Sequence, residues 1–129
     1  MESKTNFFLM ILLVVLSFNC KAQQPNLAIK IVGTWISNND STYKLIFTSD
    51  GLQKSYYDNI LSSTFSYTIT TKCKDQILTT DYDIFLKVID IDDNETYCHL
   101  LNGIHTENNG VKTLSITTER GKLYLFTKQ

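Results

Sequence analysis

The chain has 129 residues, with 12 Lys and Arg against 13 Asp and Glu, so its formal net charge is −1. Because the charges balance and Lys and Arg do not cluster, the electrostatic footprint of a nucleic-acid-binding protein is absent. One Pro, seven Tyr and seven Phe make a composition typical of β-strands rather than of a disordered chain.

The first 22 residues have the pattern of a secretory signal peptide. Lys4 precedes an apolar run over residues 7–18, and the small residues Cys20 and Ala22 favour cleavage after Ala22. The apolar run is shorter than the roughly 20 residues that span a bilayer, so we expect no membrane span. The interpretation is a signal peptide over residues 1–22 and a secreted or periplasmic mature protein.

A lipoprotein anchored through an acylated Cys20 is the alternative for this segment. Against it, Asn19 stands where a lipobox has Gly, Ala or Ser, and Phe18 is bulky. A buried N-terminal helix is a third interpretation. The remainder, residues 23–129, has the length of one domain with a single modest core.

Apolar residues recur with a helical period only at the start of this domain. Leu27 and Ile31 lie about one helical turn apart and predict a short helical turn that caps one end of the core. From Gly33 onward the period falls to two, which predicts strands. The eight predicted strands are Gly33–Asn38, Tyr43–Thr48, Leu52–Tyr57, Ser63–Thr71, Tyr82–Ile91, Glu95–Ile104, Val111–Thr118 and Lys122–Lys128.

Tight-turn signals separate the predicted strands. The clearest are the Asp-Gly pair at Asp50 and the Asn-Gly pair at Asn109, which favour hairpins. Eight antiparallel strands joined by hairpins form an up-and-down meander, and eight is a number that closes into a small barrel. We therefore predict an all-β, eight-stranded antiparallel up-and-down barrel. A two-layer sandwich is the alternative, but sandwiches usually need longer crossover loops.

Alternation along the strands separates an inner from an outer face. The predicted inner face carries Tyr43, Leu45, Phe47, Phe65, Tyr67, Ile69, Leu114 and Ile116. In the last strand, Leu123 and Leu125 face opposite to Tyr124 and Phe126. The segment from Tyr82 to Ile91 is apolar on both faces, so it is either buried more completely than its neighbours or meets a partner.

Two cysteines remain after cleavage, Cys73 and Cys98. In an oxidising compartment such a pair is more often bridged than free, so we predict a disulfide. In a regular meander the two residues would lie towards opposite rims, whereas a bridge needs Cα atoms within about 7 Å. We therefore expect an irregularity between Lys74 and Asp83, with residues 77–80 crossing the end of the barrel.

No catalytic set is recognisable in the sequence. It contains no Gly-x-Ser-x-Gly, no phosphate-binding glycine loop and no zinc-site spacing. His99 and His105 are expected to face solvent, and the acidic residues between Asp90 and Glu95 are expected to form a hairpin tip. We therefore expect no enzymatic activity, no metal site and no cofactor.

Gly33-x-Trp35 opens the first predicted strand, and the remaining meander strands follow it. Three further segments are notable, namely Phe47–Gly51, Phe85–Asp90 and Leu123–Phe126. With these features the chain resembles the lipocalin (calycin) superfamily, and most closely the short bacterial lipocalin-like domains that follow a signal peptide.

The resemblance implies a barrel that is open at one end and holds a small hydrophobic ligand without catalysis. In the family a basic side chain of the last strand packs over the Trp, which makes Gly33, Trp35 and Lys128 residues of barrel closure. The interior residues implied as ligand-binding are Tyr43, Leu45, Phe47, Tyr57, Phe65, Tyr67, Ile69, Leu114 and Ile116. Among them the tyrosines would provide the polar contacts with the ligand. The alternative is a protein-interaction or inhibitor barrel with a filled interior, whose contact surface is the strand around Phe85 and Ile89.

Overall fold

The computed structural model describes residues 25–78 and 83–129. The predicted signal peptide over residues 1–22 and the alternative lipid attachment at Cys20 lie outside the described residues. Within those that are described, no helix combines the length and apolar character needed to cross a membrane.

The described residues form one short helix and ten strands. Their bounds are α1 Pro25–Lys30, β1 Gly33–Ser37, β2 Tyr43–Phe47, β3 Leu52–Tyr57, β4 Ile60–Thr70, β5 Lys72–Cys73, β6 Gln76–Ile77, β7 Phe85–Asp90, β8 Thr96–Thr106, β9 Lys112–Thr117 and β10 Leu123–Lys128.

Eight of these strands form a closed barrel, in the order β1, β2, β3, β4, β7, β8, β9, β10 and back to β1. All neighbouring pairs are antiparallel. The ring closes where Trp35 lies opposite Lys128. Because each barrel strand pairs with the next one along the chain, the predicted up-and-down barrel is confirmed and the sandwich alternative is wrong.

The hairpin between β3 and β4 is tighter than the sequence predicted. Asp58 and Asn59 both have positive φ, 48° and 63°, and Tyr57 pairs directly with Ile60. A two-residue turn of this kind matches the right-handed twist of the flanking strands. Strand β4 therefore begins at Ile60 rather than at Ser63.

The inner face of the barrel carries the core that the alternation predicted. The buried members are Ile31, Trp35, Leu45, Phe47, Ile84, Leu86, Val88, Leu101, Leu114, Ile116 and Phe126. Phe65, Tyr67 and Ile69 are half-buried and pack against this cluster. In β10, Phe126 is buried while Leu123 and Leu125 are exposed, as the opposite faces of one strand require.

One end of the barrel is closed by α1 together with Trp35. Trp35 is fully buried, and its indole Nε1 donates a hydrogen bond to the Ile31 carbonyl at 2.7 Å. The Lys128 Nζ lies 5.2 Å from the centre of the Trp35 ring and donates to the Lys30 carbonyl at 3.1 Å, so it also binds the C-terminal end of α1. The predicted helical turn thus caps this end, which we call the closed end.

Gly33 allows this packing to be close. Its φ is +132°, and a Cβ built there would lie 2.7 Å from Cε of Lys128. An L side chain would be strained by the backbone and would displace the lysine from the indole. Gly33, Trp35 and Lys128 therefore occupy one structural unit at the closed end.

In the connection between β4 and β7, the described residues 71–78 fold back over the outside of the barrel. Strands β5 and β6 form a small hairpin, and Cys73 and Cys98 are joined by a disulfide with a Cα–Cα distance of 5.8 Å. These cysteines pack with Phe85 and Leu78 in a cluster separate from the barrel core. The predicted disulfide and irregularity are confirmed.

The path of this connection differs from the expected crossing of the barrel end. Leu78 packs beside the disulfide against Phe85, whose neighbours Leu86 and Val88 belong to the inner core, so this packing is on the outer face. Residues 79 and 80 lie outside the described residues. The outer face of β7 is apolar at Phe85 because Cys73, Leu78 and Cys98 pack over this residue.

Candidate functional site

The two ends of the barrel are filled differently. At the end opposite the closed end, which we call the open end, β2 and β10 begin and β3 and β9 finish. A cavity of about 380 Å³ opens there, and one of about 150 Å³ continues from it between the strands. The two share Tyr43, Gln53 and His99 in their linings, so we treat them as one inner cavity.

The full lining of the inner cavity combines aromatic, aliphatic and uncharged polar side chains. It comprises Tyr43, Leu45, Gln53, Ser55, Tyr57, Ser62, Ser63, Phe65, Leu86, Val88, Tyr97, His99, Ile116, Thr118, Tyr124 and Phe126. None of these carries a formal charge when His99 is neutral.

A third space of about 560 Å³ lies outside the inner cavity at the same end and shares His99 with it. This outer cavity is lined by charged residues, namely Lys74, Glu95, Glu119, Arg120 and Lys122, among others. The open end therefore changes from uncharged inside to charged at its mouth.

Strand register explains why polar residues of β3 face the interior. Gln53 lies opposite Phe47 and Ser55 lies opposite Leu45, and both partners belong to the inner core. Because directly opposite residues of antiparallel strands point to the same face, Gln53 and Ser55 point inward. Both are buried.

Five of the sequence-predicted interior residues line the inner cavity. These are Tyr43, Leu45, Tyr57, Phe65 and Ile116. Tyr57 lies at the rim, half-exposed, with its ring stacked 4.7 Å from that of Tyr43. Burial raises the pKa of Tyr43, so its hydroxyl stays protonated at neutral pH.

The other four predicted interior residues fill the half of the barrel nearer the closed end. They are Phe47, Tyr67, Ile69 and Leu114, and none lines the cavities described above. The Phe47 and Tyr67 rings meet edge to face at 5.1 Å. The Tyr67 hydroxyl donates to the Thr48 carbonyl at 2.9 Å, so it serves the fold and not a ligand.

His99 was expected to face solvent, and that expectation is wrong. It lies opposite the buried Leu86 and lines both parts of the inner cavity. Its Nδ1 accepts a hydrogen bond from the Glu119 backbone N–H at 3.2 Å. Burial lowers the pKa of His99, against the opposing charge of Glu119, so the ring is neutral near pH 7 and carries its proton on Nε2.

Gln53 was not predicted as a site residue, although it is the most unusual polar group in the cavity wall. Only 7% of Gln53 is exposed, and its Oε1 has no hydrogen-bond partner among the described residues. A buried acceptor without a partner costs about 1–3 kcal/mol, so such groups are rare in folded proteins. The sequence did contain a signal for its inward position, because the first predicted hairpin places Gln53 opposite the inward-facing Phe47.

Tyr97 and Tyr124 are among the other lining residues that the sequence analysis did not select. Tyr97 stacks on His99 at 6.2 Å and meets Phe65 edge to face at 6.3 Å. The Tyr97 hydroxyl donates to Glu95 at 2.8 Å, and this bond raises the pKa of Tyr97. Because Tyr97 lies two residues before His99 in the same strand, both side chains point to the same face.

Glu119 connects the mouth of the cavity to the β5–β6 hairpin. One carboxylate oxygen pairs with Lys74 Nζ at 2.8 Å, and the other accepts the Cys98 backbone N–H at 3.0 Å. The hydrogen bond from Lys74 is the largest cause of a lowered pKa at Glu119. This residue therefore contacts the hairpin, the disulfide-bearing part of β8 and, through its backbone N–H, the His99 ring.

Metal ligands do not come together in the part of the chain that the structure describes. No group of three or more His, Cys, Asp or Glu is close enough to hold an ion. A register shift in β8 between Leu101 and Gly103 separates His99 in the cavity from the exposed His105. Near the acidic hairpin tip, Asp90 and Asp93 accept backbone N–H groups of the turn.

Comparisons with protein-family models, with curated proteins and with solved structures find no match for this chain. The closed eight-stranded antiparallel barrel is consistent with a lipocalin-like fold.

Proposed function

We propose that this protein is a lipocalin-like, non-catalytic binding protein that is secreted or periplasmic and holds one small, largely apolar molecule. The observation that carries the proposal is the uneven filling of the barrel. Side chains close the half around Trp35, whereas the half around Tyr43 and His99 contains a cavity open to solvent. An eight-stranded barrel has room for one small ligand only where its side chains leave such space.

The size and walls of the inner cavity suit this role. Its larger part, about 380 Å³, falls within the range of about 300–1,000 Å³ typical of small-molecule sites. Leu45, Leu86, Ile116 and Phe126 provide apolar contacts in the deeper part. Apolar walls with a few polar groups are the usual composition of a ligand pocket.

The disulfide supports the proposed location. Cys73 and Cys98 are bridged, and such bonds persist in extracellular and periplasmic compartments but are rare in the cytosol. The proposed signal peptide over residues 1–22 would deliver the chain there.

Calorimetric titration and melting temperature, measured with a panel of fatty acids, retinoids and small aromatic compounds, test the proposal. Ser55→Phe fills the larger part of the inner cavity and should abolish binding, and Ser63→Phe does the same from the opposite position on β4. Thr68→Phe is the matched control, because Thr68 is exposed on the outside of β4. Circular dichroism identifies any variant that fails to fold.

The outcomes separate the two functions. Binding with one-to-one stoichiometry that Ser55→Phe and Ser63→Phe remove, and Thr68→Phe retains, supports a cavity-binding protein. If no compound in the panel binds the wild-type protein, the proposal is wrong and the alternative of an interaction or inhibitor barrel is favoured. That alternative would need a contact surface other than Phe85, which is 3% exposed beneath Cys73 and Leu78.

A further inference from the structure

We propose that the ligand is an uncharged, planar aromatic molecule with an N–H or O–H group that donates to Oε1 of Gln53. The inference rests on the proposed function and names its ligand class. Three features of the inner cavity carry it: an unpartnered acceptor, aromatic pairs on its walls, and a lining without formal charge.

The acceptor is the first feature. Oε1 of Gln53 is buried without a partner among the described residues, and Gln53 lines both parts of the inner cavity. An amide oxygen accepts hydrogen bonds and cannot donate them. A ligand that brings a donor to this oxygen therefore gains a hydrogen bond, whereas a ligand without one leaves the oxygen as unpaired as it is in the free protein.

The aromatic pairs are the second feature. Tyr43 and Tyr57 stack with ring centres 4.7 Å apart, and Tyr97 and His99 lie nearly parallel, 13° apart, with centres separated by 6.2 Å. All four residues line the larger part of the cavity. Flat, rigid walls favour a flat ligand, because stacked or edge-to-face rings gain about 0.5–1.5 kcal/mol beyond their buried area. A flexible chain also loses more conformational entropy on binding.

The distribution of charge is the third feature. The described residues that line the inner cavity include no Asp, Glu, Lys or Arg. A charged group buried there would have no partner and would pay its full desolvation cost. The neutral His99 ring adds an Nε2–H donor for a ligand acceptor, since its Nδ1 is occupied by the Glu119 N–H. Charged groups of a longer ligand would fit only in the outer cavity.

Indole and benzofuran are matched probes for this inference. Both are flat bicyclic molecules of nearly the same shape, but indole has an N–H donor where benzofuran has an ether oxygen. Isothermal titration calorimetry on the wild-type protein should give a dissociation constant about tenfold lower for indole, the ratio expected for one net hydrogen bond. Dodecanoate, a flexible chain with a charged head, should bind more weakly than indole.

Gln53→Met tests the residue. Methionine keeps the length of the side chain but removes the amide oxygen, so the affinity for indole should fall about tenfold relative to that for benzofuran. Gln76→Met is the control, because Gln76 is exposed on β6 and lines none of the cavities described. If Gln53→Met fails to fold, the comparison of the two probes on the wild-type protein still decides.

The failures of the two proposals are distinguishable. Equal affinities for indole and benzofuran, or tighter binding of dodecanoate than of either, would overturn the ligand class and leave the binding function intact. An unchanged ratio of these two affinities in Gln53→Met would do the same for the role assigned to Gln53. If none of the three probes binds the wild-type protein, the inference is wrong, and the broader panel decides whether the function is wrong as well.

Discussion

Removing the disulfide should lower the stability of the whole fold and should also release the β5–β6 hairpin from the barrel. The perturbation is the double variant Cys73→Ala/Cys98→Ala. The bond closes a loop with a sequence separation of 25, for which the chain-entropy relation gives about 3.5 kcal/mol at 25 °C. For a domain of about 100 residues, a loss of 1 kcal/mol lowers the melting temperature by about 4 °C, so a decrease of about 14 °C is expected.

The structure also predicts where the loss is felt. Phe85 and Leu78 pack against the bridge on the outside of the barrel, and Lys74 of the hairpin is held by Glu119. Without the bond, this exposed ion pair contributes too little to hold the hairpin in place. The backbone of the hairpin should lose nearly all of its protection against hydrogen exchange, whereas β9 and β10, which it does not cover, should lose only as much as the fall in global stability removes.

Chemical denaturation, melting temperature and hydrogen exchange measured by mass spectrometry check this prediction. Dithiothreitol should lower the melting temperature of the wild-type protein towards that of the double variant and should have no effect on the variant itself. The reasoning is refuted if the double variant loses less than about 1 kcal/mol, or if the hairpin loses no more protection than β9 and β10 do.

Three further predictions concern single side chains. Lys128→Met should lower the free energy of unfolding by about 1 kcal/mol, because it removes the cation from Trp35 and the hydrogen bond to Lys30; urea denaturation measures this, and an unchanged midpoint would contradict it. Gln53→Met should leave the ligand-free protein as stable as the wild type or about 1 kcal/mol more stable, since it removes an unpaired buried acceptor, and a clear decrease in melting temperature would show that the oxygen has a partner. Burial holds the pKa of His99 below its ordinary value of 6.5, so the unfolded chain takes up this proton first as the pH falls. Stability is therefore retained above pH 6.5 and falls as the pH decreases through the lower folded pKa. His99→Asn should remove this part of the pH dependence of unfolding, and an identical profile would argue against it.

The architecture was predictable because each step depended on local sequence. The period of two defined the strands, and tight-turn pairs such as Asp50-Gly51 joined them as neighbours. Hairpin connections leave little freedom in topology, so the up-and-down order followed. The position of Lys128 beside Trp35 followed too, since closing the ring brings the last strand against the first.

The interior was predictable as a face but not as a site. Alternation assigned Tyr43, Phe47 and Tyr67 to the inside without saying at which end the side chains leave space. That depends on which residues of non-neighbouring strands meet across the barrel. His99 shows this limit. Its ring faces the cavity because His99 lies opposite the inward-facing Leu86. The register of β8 shifts only after this residue, between Leu101 and Gly103.

The sequence by itself determined the number of barrel strands, their order and the identity of the inner face, because these follow from backbone geometry and from neighbours along the chain. The pairing of Cys73 with Cys98 could be expected only from the compartment. Only the tertiary structure decided that the hairpin folds over Phe85, that the side chains leave space at the end around Tyr43, and that Gln53 and His99 share one cavity. The reason is physical: these features are contacts between distant segments, and the local period of two carries no information about them.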